Sequence, residues 1–429
     1  MIGRTRSRTL PLFIEGVPEG GGSLVDTVRV TKEKRANGRN ITKKGTNDRP
    51  LLLKKNNMNN NNGRLLSLDV LRGLDLMLLV GLQPVLRLFL IELDNPTLNE
   101  TLLYQLDHAE WEGLRAWDLV MPLFLFMSGV TMPYSLPKYR TQSGNGKVWI
   151  RIMKRFLLLF FLGMVVQGNI LSLDPDRIYL YSNTLQAIAV GYLLAAPMVL
   201  YLKPWQQLAA IALLLLIYSV PMHVVGDWSA QGNFACTLDK ELLGRFRDGS
   251  VIAEDGAVIF APWYDYTWIW SSLTFCCTVA LGSFAGHLAK NGNNDRAATA
   301  KKLFVMAVVL LLAGYLFGMY QPIIKRIWSA SMVLCSAGWC YLLLAVFYWW
   351  IDVKGHIRGW NWLLYYGCNA ITAYLIGELV NFRGVAESLL YGTEQYLGGW
   401  YPVLLAACNS LILFFILKFM YKNKLFLKV

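Results

Sequence analysis

Long apolar runs recur along this chain from residue 67 to residue 422, and they leave it few folds to choose from. Ten candidate spans stand out, at roughly 67–91, 116–136, 152–171, 183–202, 205–225, 266–289, 302–320, 326–350, 361–381 and 402–422. Each is near the length of about 20 residues that an α-helix needs to cross a bilayer. Lipid cannot satisfy an open backbone, so a spanning chain must be helical or a closed barrel. The runs are continuously apolar and lack the alternation of barrel strands. The expected fold is therefore all-α: a polytopic integral membrane bundle of about ten transmembrane helices, with the lipid bilayer as its surroundings. Charged residues make up only 16% of the chain, against about 25% in soluble proteins. Pro84, Pro122 and Pro197 fall inside spans, where neighbouring helices can satisfy the freed backbone groups.

Residues 1–63 have a different character. They hold Gly20-Gly21-Gly22, scattered Lys and Arg, and the run from Asn56 to Asn62 broken only by Met58. Such a composition buries no core, and it contains no apolar stretch of a signal peptide. It reads as a disordered basic leader in the cytoplasm. Met58 lies just before the structured region, so an over-extended start would account for residues 1–57. Residues 64–429 form the transmembrane domain, with one long outer loop at about 226–265. That loop is rich in aromatic residues, which suit either sugar stacking or an interfacial belt.

The net charge of +13 gains its meaning from where it lies. Lys138, Arg140, Lys147 and Arg151 follow the second span, with Lys154 and Arg155 just beyond. Lys290, Arg296, Lys301 and Lys302 follow the sixth, and Lys422, Lys424 and Lys428 close the chain. With ten spans, all of these share a side with the basic leader, while the opposite loops are mixed or acidic. The positive-inside rule then puts both termini in the cytoplasm, and the inner membrane is the expected location in a bacterium. The charge is topological, so no nucleic acid partner is expected. The short turn at Lys325 and Arg326 is the exception, a basic pair on the outer side. Of the seven cysteines, only Cys236 lies clearly in a long loop, and no spacing suggests a disulfide framework or a zinc site. No metal is expected.

Polar groups in or beside spans are the candidates for function. His108, one of only four histidines, sits in Asp107-His108-Ala109-Glu110-Trp111-Glu112-Gly113 at the entrance to the second span. An imidazole can exchange a proton or carry an acyl group near neutral pH. Asp118, ten residues on, can orient that ring or cap the second helix. Asp69 and Arg72 are three apart in the first span and share a helix face. Gln83 and Arg87 lie nearer its outer end. Asn369 and Thr372 fall among small residues, a pattern that allows close helix packing, polar bonds across helices and a homodimer. His223, His287 and His356 have weaker settings.

Several stretches together resemble a known family. They are Arg64-Leu65-Leu66-Ser67-Leu68-Asp69-Val70-Leu71-Arg72-Gly73, then His108-Ala109-Glu110-Trp111-Glu112-Gly113, then Asp118-Leu119-Val120-Met121-Pro122-Leu123-Phe124-Leu125-Phe126. Lys325-Arg326-Ile327-Trp328-Ser329-Ala330-Ser331 and Gly367-Cys368-Asn369-Ala370 follow in order. The chain is similar, over roughly 64–422, to the catalytic domain of heparan-α-glucosaminide N-acetyltransferase and its bacterial relatives. The resemblance implies a transmembrane acyltransferase. Acetyl-CoA would serve as co-substrate from the cytosolic side, and an amino sugar or glycan would be the acceptor on the outer side. It implies that His108 is the motif histidine, acting as base on the acceptor amine or as carrier of the acetyl group. It makes Asp118, Asp69 and Arg72 site positions. The family commonly has an asparagine eleven residues after the arginine of its R-G motif; here that position is Gln83, a candidate oxyanion donor. The phosphates of acetyl-CoA are expected at Arg151, Lys154 and Arg155. O-acylation of an envelope polysaccharide and transport of amino sugars are the rival readings.

Overall fold

The structure is a computed structural model that describes residues 65–292 and 295–427, with the side chains of 137–145 left aside. The leader at 1–63, Arg64, Lys138, Arg140 and Lys428 lie outside the described residues or side chains. The remainder is almost wholly helical. The main helices are α1 (Leu66–Leu93), α2 (Val120–Val166), α3 (Thr184–Tyr201), α4 (Pro204–Val224), α5 (Phe234–Leu243), α6 (Ser271–Asn291), α7 (Arg296–Gly318), α8 (Ala330–Val353), α9 (Leu363–Cys368), α10 (Ala370–Leu379) and α11 (Tyr401–Lys422). Among the described residues, eight helices are long and apolar enough to cross a membrane. The chain is a polytopic all-α membrane protein.

The two other expected spans take special forms. The stretch at 152–171 belongs to the second half of α2, which opens with Arg151, Lys154 and Arg155. The halves of α2 lie side by side: Phe124 to Leu136 and Lys147 to Leu159 face one cavity. Arg155 stacks over the Tyr192 ring of α3 at 4.2 Å, and Trp149 donates to the Tyr201 hydroxyl at 2.9 Å. The chain therefore turns back between Leu136 and Lys147. The stretch at 361–381 is broken at Asn369 into α9 and α10.

Burial sorts the helices. In their most apolar windows α2, α6 and α8 are 72%, 78% and 67% buried, whereas α1, α4, α7 and α11 are 17–28% buried. The first three form the core, and the last four offer their apolar sides outward, as lipid-facing helices do. Glycines set the closest approaches. A Cβ on Gly129 or Gly282 would collide with the carbonyl of Val279 or Phe126, where α2 meets α6. Gly73 and Gly367 make the same kind of contact between α1 and α9. Small residues let backbones pack where no hydrophobic force acts between helices.

Proline shapes α1. Pro84 has no N–H and crowds the carbonyl four residues back. The helix meets this with a π-helical turn at Leu78–Leu82, which re-routes the hydrogen bonds around the proline. The long loop after α4 folds as α5 and an antiparallel hairpin, β1 (Ser250–Ile252) with β2 (Val258–Phe260), Val251 facing Ile259. Asp239 of α5 ties this small unit to the bundle by accepting from the backbone N–H of Trp268 at 2.7 Å and Ile269 at 3.0 Å.

Candidate active site

Three polar side chains from two distant parts of the chain meet at one end of the bundle. Asp118 lies in the 3-10 turn Ala116–Leu119 that leads into α2 and is 1% exposed. Its Oδ1 stands 2.7 Å from His108 Nδ1. Its Oδ2 accepts from the backbone N–H of Ala109 and of Arg115, each at 3.1 Å. Asp118 thus does both things its spacing allowed: it closes the helix entrance and it orients the imidazole. Lys325 is the third member. Its Nζ lies 3.0 Å from His108 Nδ1, 3.4 Å from Nε2 and 3.4 Å from Asp118 Oδ1.

Local structure fixes both loops. Gly113 has φ +116, a conformation open to glycine, and its N–H donates to the Ile323 carbonyl at 2.8 Å. Trp111 Nε1 donates to the Trp228 carbonyl at 2.7 Å. The Lys325 turn is gripped from two sides, since Tyr218 and Ser271 hydroxyls both donate to the Ile327 carbonyl, at 2.6 and 2.9 Å. Arg326 pairs with Asp265, and its carbonyl accepts from the Thr267 N–H at 3.1 Å. Trp328 takes a left-handed φ of +52 inside this turn. That is a costly conformation for a tryptophan and persists only where its surroundings hold it.

Burial among these groups drives the Lys325 ammonium down to about 8, against a partial pull upward from the Asp118 charge. The lysine thus titrates close to the working range, as groups at reacting centres often do. With Asp118 accepting from Nδ1–H, the ring keeps its lone pair on Nε2; this tautomer follows from the bonding network. The His108 side chain is 39% exposed.

Gln83 bonds to the segment that leads into His108. Its Nε2 donates to the Leu106 carbonyl at 3.0 Å, and Arg87 pairs with Asp107 at 3.0 Å. Both contacts moor the segment that carries His108. Of the other histidines, His223 meets Trp228 edge to face and Tyr320 at a tilt, and His356 lies tilted against Trp350.

A second feature opens among α1, α2, α3 and the α9–α10 break: a cavity of about 900 Å³. Arg151, Lys154 and Arg155 all line it, joined by Lys147 and Arg72. Arg72 stands 3.9 Å from Asp69, so the expected pair forms. Asn369 is 1% exposed at the helix break, between the lining residues Cys368 and Ala370. The lining includes Phe124, six residues or about 9 Å of helix beyond Asp118. The cavity wall therefore comes within about 9 Å of helix of Asp118, while His108, Asp118 and Lys325 are not among its lining residues.

Sequence reasoning placed Lys325 in a motif without giving it a role. The available signal was its misfit: Lys325 and Arg326 are a basic pair on a side otherwise mixed or acidic, and a charge that breaks the topology pattern needs a partner.

Comparison with known proteins agrees with this geometry. Residues 64–240 match the family model described as heparan-alpha-glucosaminide N-acetyltransferase, catalytic. The chain is 22% identical over 376 residues to the heparan-alpha-glucosaminide N-acetyltransferase of Mus musculus, covering 75% of this chain and 56% of that protein. It is 26% identical over 326 residues to the Homo sapiens protein of the same name, covering 63% of this chain and 48% of that one. The chain thus spans about half the length of the curated relatives it matches. The resemblance carried by the first two motifs is borne out: from Arg64 through Lys240, His108 and Asp118 included, this chain matches the catalytic family of heparan-alpha-glucosaminide N-acetyltransferase.

Proposed function

We propose that this protein is a transmembrane acetyltransferase, taking an acetyl group from acetyl-CoA on the cytoplasmic side and passing it to the amine of an amino sugar or glycan on the outer side. The observation that carries this reading is the His108–Asp118–Lys325 cluster together with a cation-lined cavity whose wall reaches Phe124, six residues beyond Asp118. Lys147, Arg151, Lys154 and Arg155, close together in sequence on the cavity wall, suit the phosphates of coenzyme A. His108 acts as general base. The acceptor nitrogen attacks the thioester carbonyl, its proton passes to Nε2, the C–S bond breaks, and the thiolate leaves as the CoA product. Asp118 holds the ring through Nδ1 and balances the imidazolium, the part a buried carboxylate plays beside a catalytic histidine. Lys325 places a positive charge where the tetrahedral oxyanion develops. Gln83 supports the loop through one N–H on the Leu106 carbonyl and keeps a second N–H, with which it can donate to the oxyanion beside Lys325.

The test is transfer of radiolabelled acetyl from acetyl-CoA to glucosamine by the detergent-purified protein, wild type beside His108→Ala. Turnover in the wild type and loss in the variant is the expected result. An acetylated His108 trapped before acceptor is added would replace the base role with a carrier role. Amino-sugar uptake into proteoliposomes with no acyl-CoA binding would overturn the proposal in favour of transport.

A further inference from the structure

The cavity wall on α2 has an order that its cations do not explain. Phe124, Ser128, Thr131 and Ser135 line it, at spacings of four, three and four residues, so they form one continuous face of the helix. Three hydroxyls in a row on a membrane helix face a cavity and not lipid, in keeping with the cost of polar groups there.

Their protons are already used. Ser128 donates to the Leu125 carbonyl at 2.8 Å, Thr131 to the Ser128 carbonyl at 2.7 Å, and Ser135 to the Thr131 carbonyl at 3.1 Å. A hydroxyl has one proton to give and two lone pairs to receive with. Each oxygen therefore offers the cavity acceptor capacity alone. The cavity wall thus carries cations at Lys147, Arg151, Lys154 and Arg155, the three acceptors, and large ring or aliphatic side chains at Phe124, Leu185 and Tyr374.

We infer that Ser128, Thr131 and Ser135 accept the two amide N–H groups of a pantetheine arm, and so set the depth at which the donor thioester stops. This rests on the acetyl-CoA reading above. The fit is one of spacing and polarity. Successive rungs rise by about 4.5 and 6 Å along the helix. The two amide nitrogens of pantetheine are four bonds apart, about 5 Å in extended form. A donor lacking those N–H groups, such as an acyl phosphate, finds no partner on this wall. The ladder thereby selects a pantetheine thioester over other phosphorylated acyl donors.

The experiment measures binding of coenzyme A and of adenosine 3′,5′-bisphosphate, which has phosphates but no arm, to the purified full-length protein. The proteins compared are wild type, Ser135→Ala alone, and Ser128→Ala with Thr131→Val and Ser135→Ala. The expected result is coenzyme A binding weakened by about ten- to a hundredfold in the triple variant, with a smaller step in Ser135→Ala and the bisphosphate unchanged in both. Ser135→Ala, at the partly exposed end of the ladder, still gives an answer where the triple variant does not fold. Coenzyme A affinity equal to wild type overturns the ladder and leaves the donor reading standing. Equal weakening of both ligands also overturns it, because the arm then adds nothing of its own. Failure of the wild type to bind either ligand overturns the donor reading, and the ladder with it.

Discussion

Lys325 Nζ stands 3.0 Å from His108 Nδ1, though 217 residues separate the two in the chain. The contact joins the turn before α8 to the loop before α2 and puts an ammonium, an imidazole and the Asp118 carboxylate within one hydrogen-bonded cluster. Its consequence is a pH limit. Burial brings Lys325 down from 10.5 to about 8, so the ammonium is present below that pH and lost above it. Acetyl transfer should fall as pH rises through about 8. Lys325→Arg should keep its charge and remove that limb, and Lys325→Ala should lower the rate about 10²–10³-fold below pH 8, with the deficit narrowing above it as the wild type loses its own charge. The fall is not unfolding. Between about 8 and 10.5 the unfolded chain binds more protons at this residue than the folded one, so this group adds stability as pH rises there. A pH–rate profile beside a melting curve across the same range separates the two.

Asp118→Asn keeps the size of the side chain and removes its charge. The amide has one acceptor oxygen to offer His108, Ala109 and Arg115, and the imidazolium loses its counter-charge. The expected loss in kcat is about 10³–10⁴-fold, with the acetyl-CoA affinity of the cavity unchanged. Single-turnover kinetics with a parallel binding titration checks it, and a loss of affinity matching the loss of rate would count against the orienting role.

Gln83→Ala and Gln83→Asn should behave alike. Each removes the bond to the Leu106 carbonyl, and the loop carrying His108 then drifts. A shift of about an ångström at a reacting group costs on the order of 10²-fold, so each variant should lose between ten- and a hundredfold in kcat. The exposed Arg87–Asp107 pair should matter far less, as surface ion pairs do. If Gln83→Asn retained full rate, the mooring role would be wrong.

Gly282→Ala should be strongly destabilising, because its new methyl group meets the Phe126 carbonyl at the α2–α6 contact. Overpacking of this kind costs about 1–3 kcal/mol or more. Gly384→Ala, on the exposed helix Arg383–Leu389 with open space around it, is the control and should be neutral or stabilising by about 0.4–1 kcal/mol. Thermal unfolding in detergent, followed by tryptophan fluorescence, compares them.

Much of this protein was readable along the chain, because membrane insertion is a local decision. A run of apolar residues near the bilayer thickness spans by itself, whatever its neighbours do, so 116–136, 183–202 and 266–289 appear as the first half of α2, as α3 and as α6 within a few residues of where composition put them. The His108 and Asp118 motifs lie ten residues apart on one side of one span, and that closeness made their pairing visible. Other features depended on what packs against what. The reversal within α2, which sets its two halves around one cavity, follows from contacts with α3. The break at Asn369 turns one apolar stretch into two short helices beside that cavity. Gln83 faces the Leu106 carbonyl because a π turn ahead of Pro84 rotates the helix, which no residue count reveals. Lys325 is the sharpest case. Its charge was a misfit in the sequence, and only the tertiary structure supplied the reason, since a buried ammonium needs its carboxylate within a few ångströms and the chain delivers Asp118 from another loop altogether.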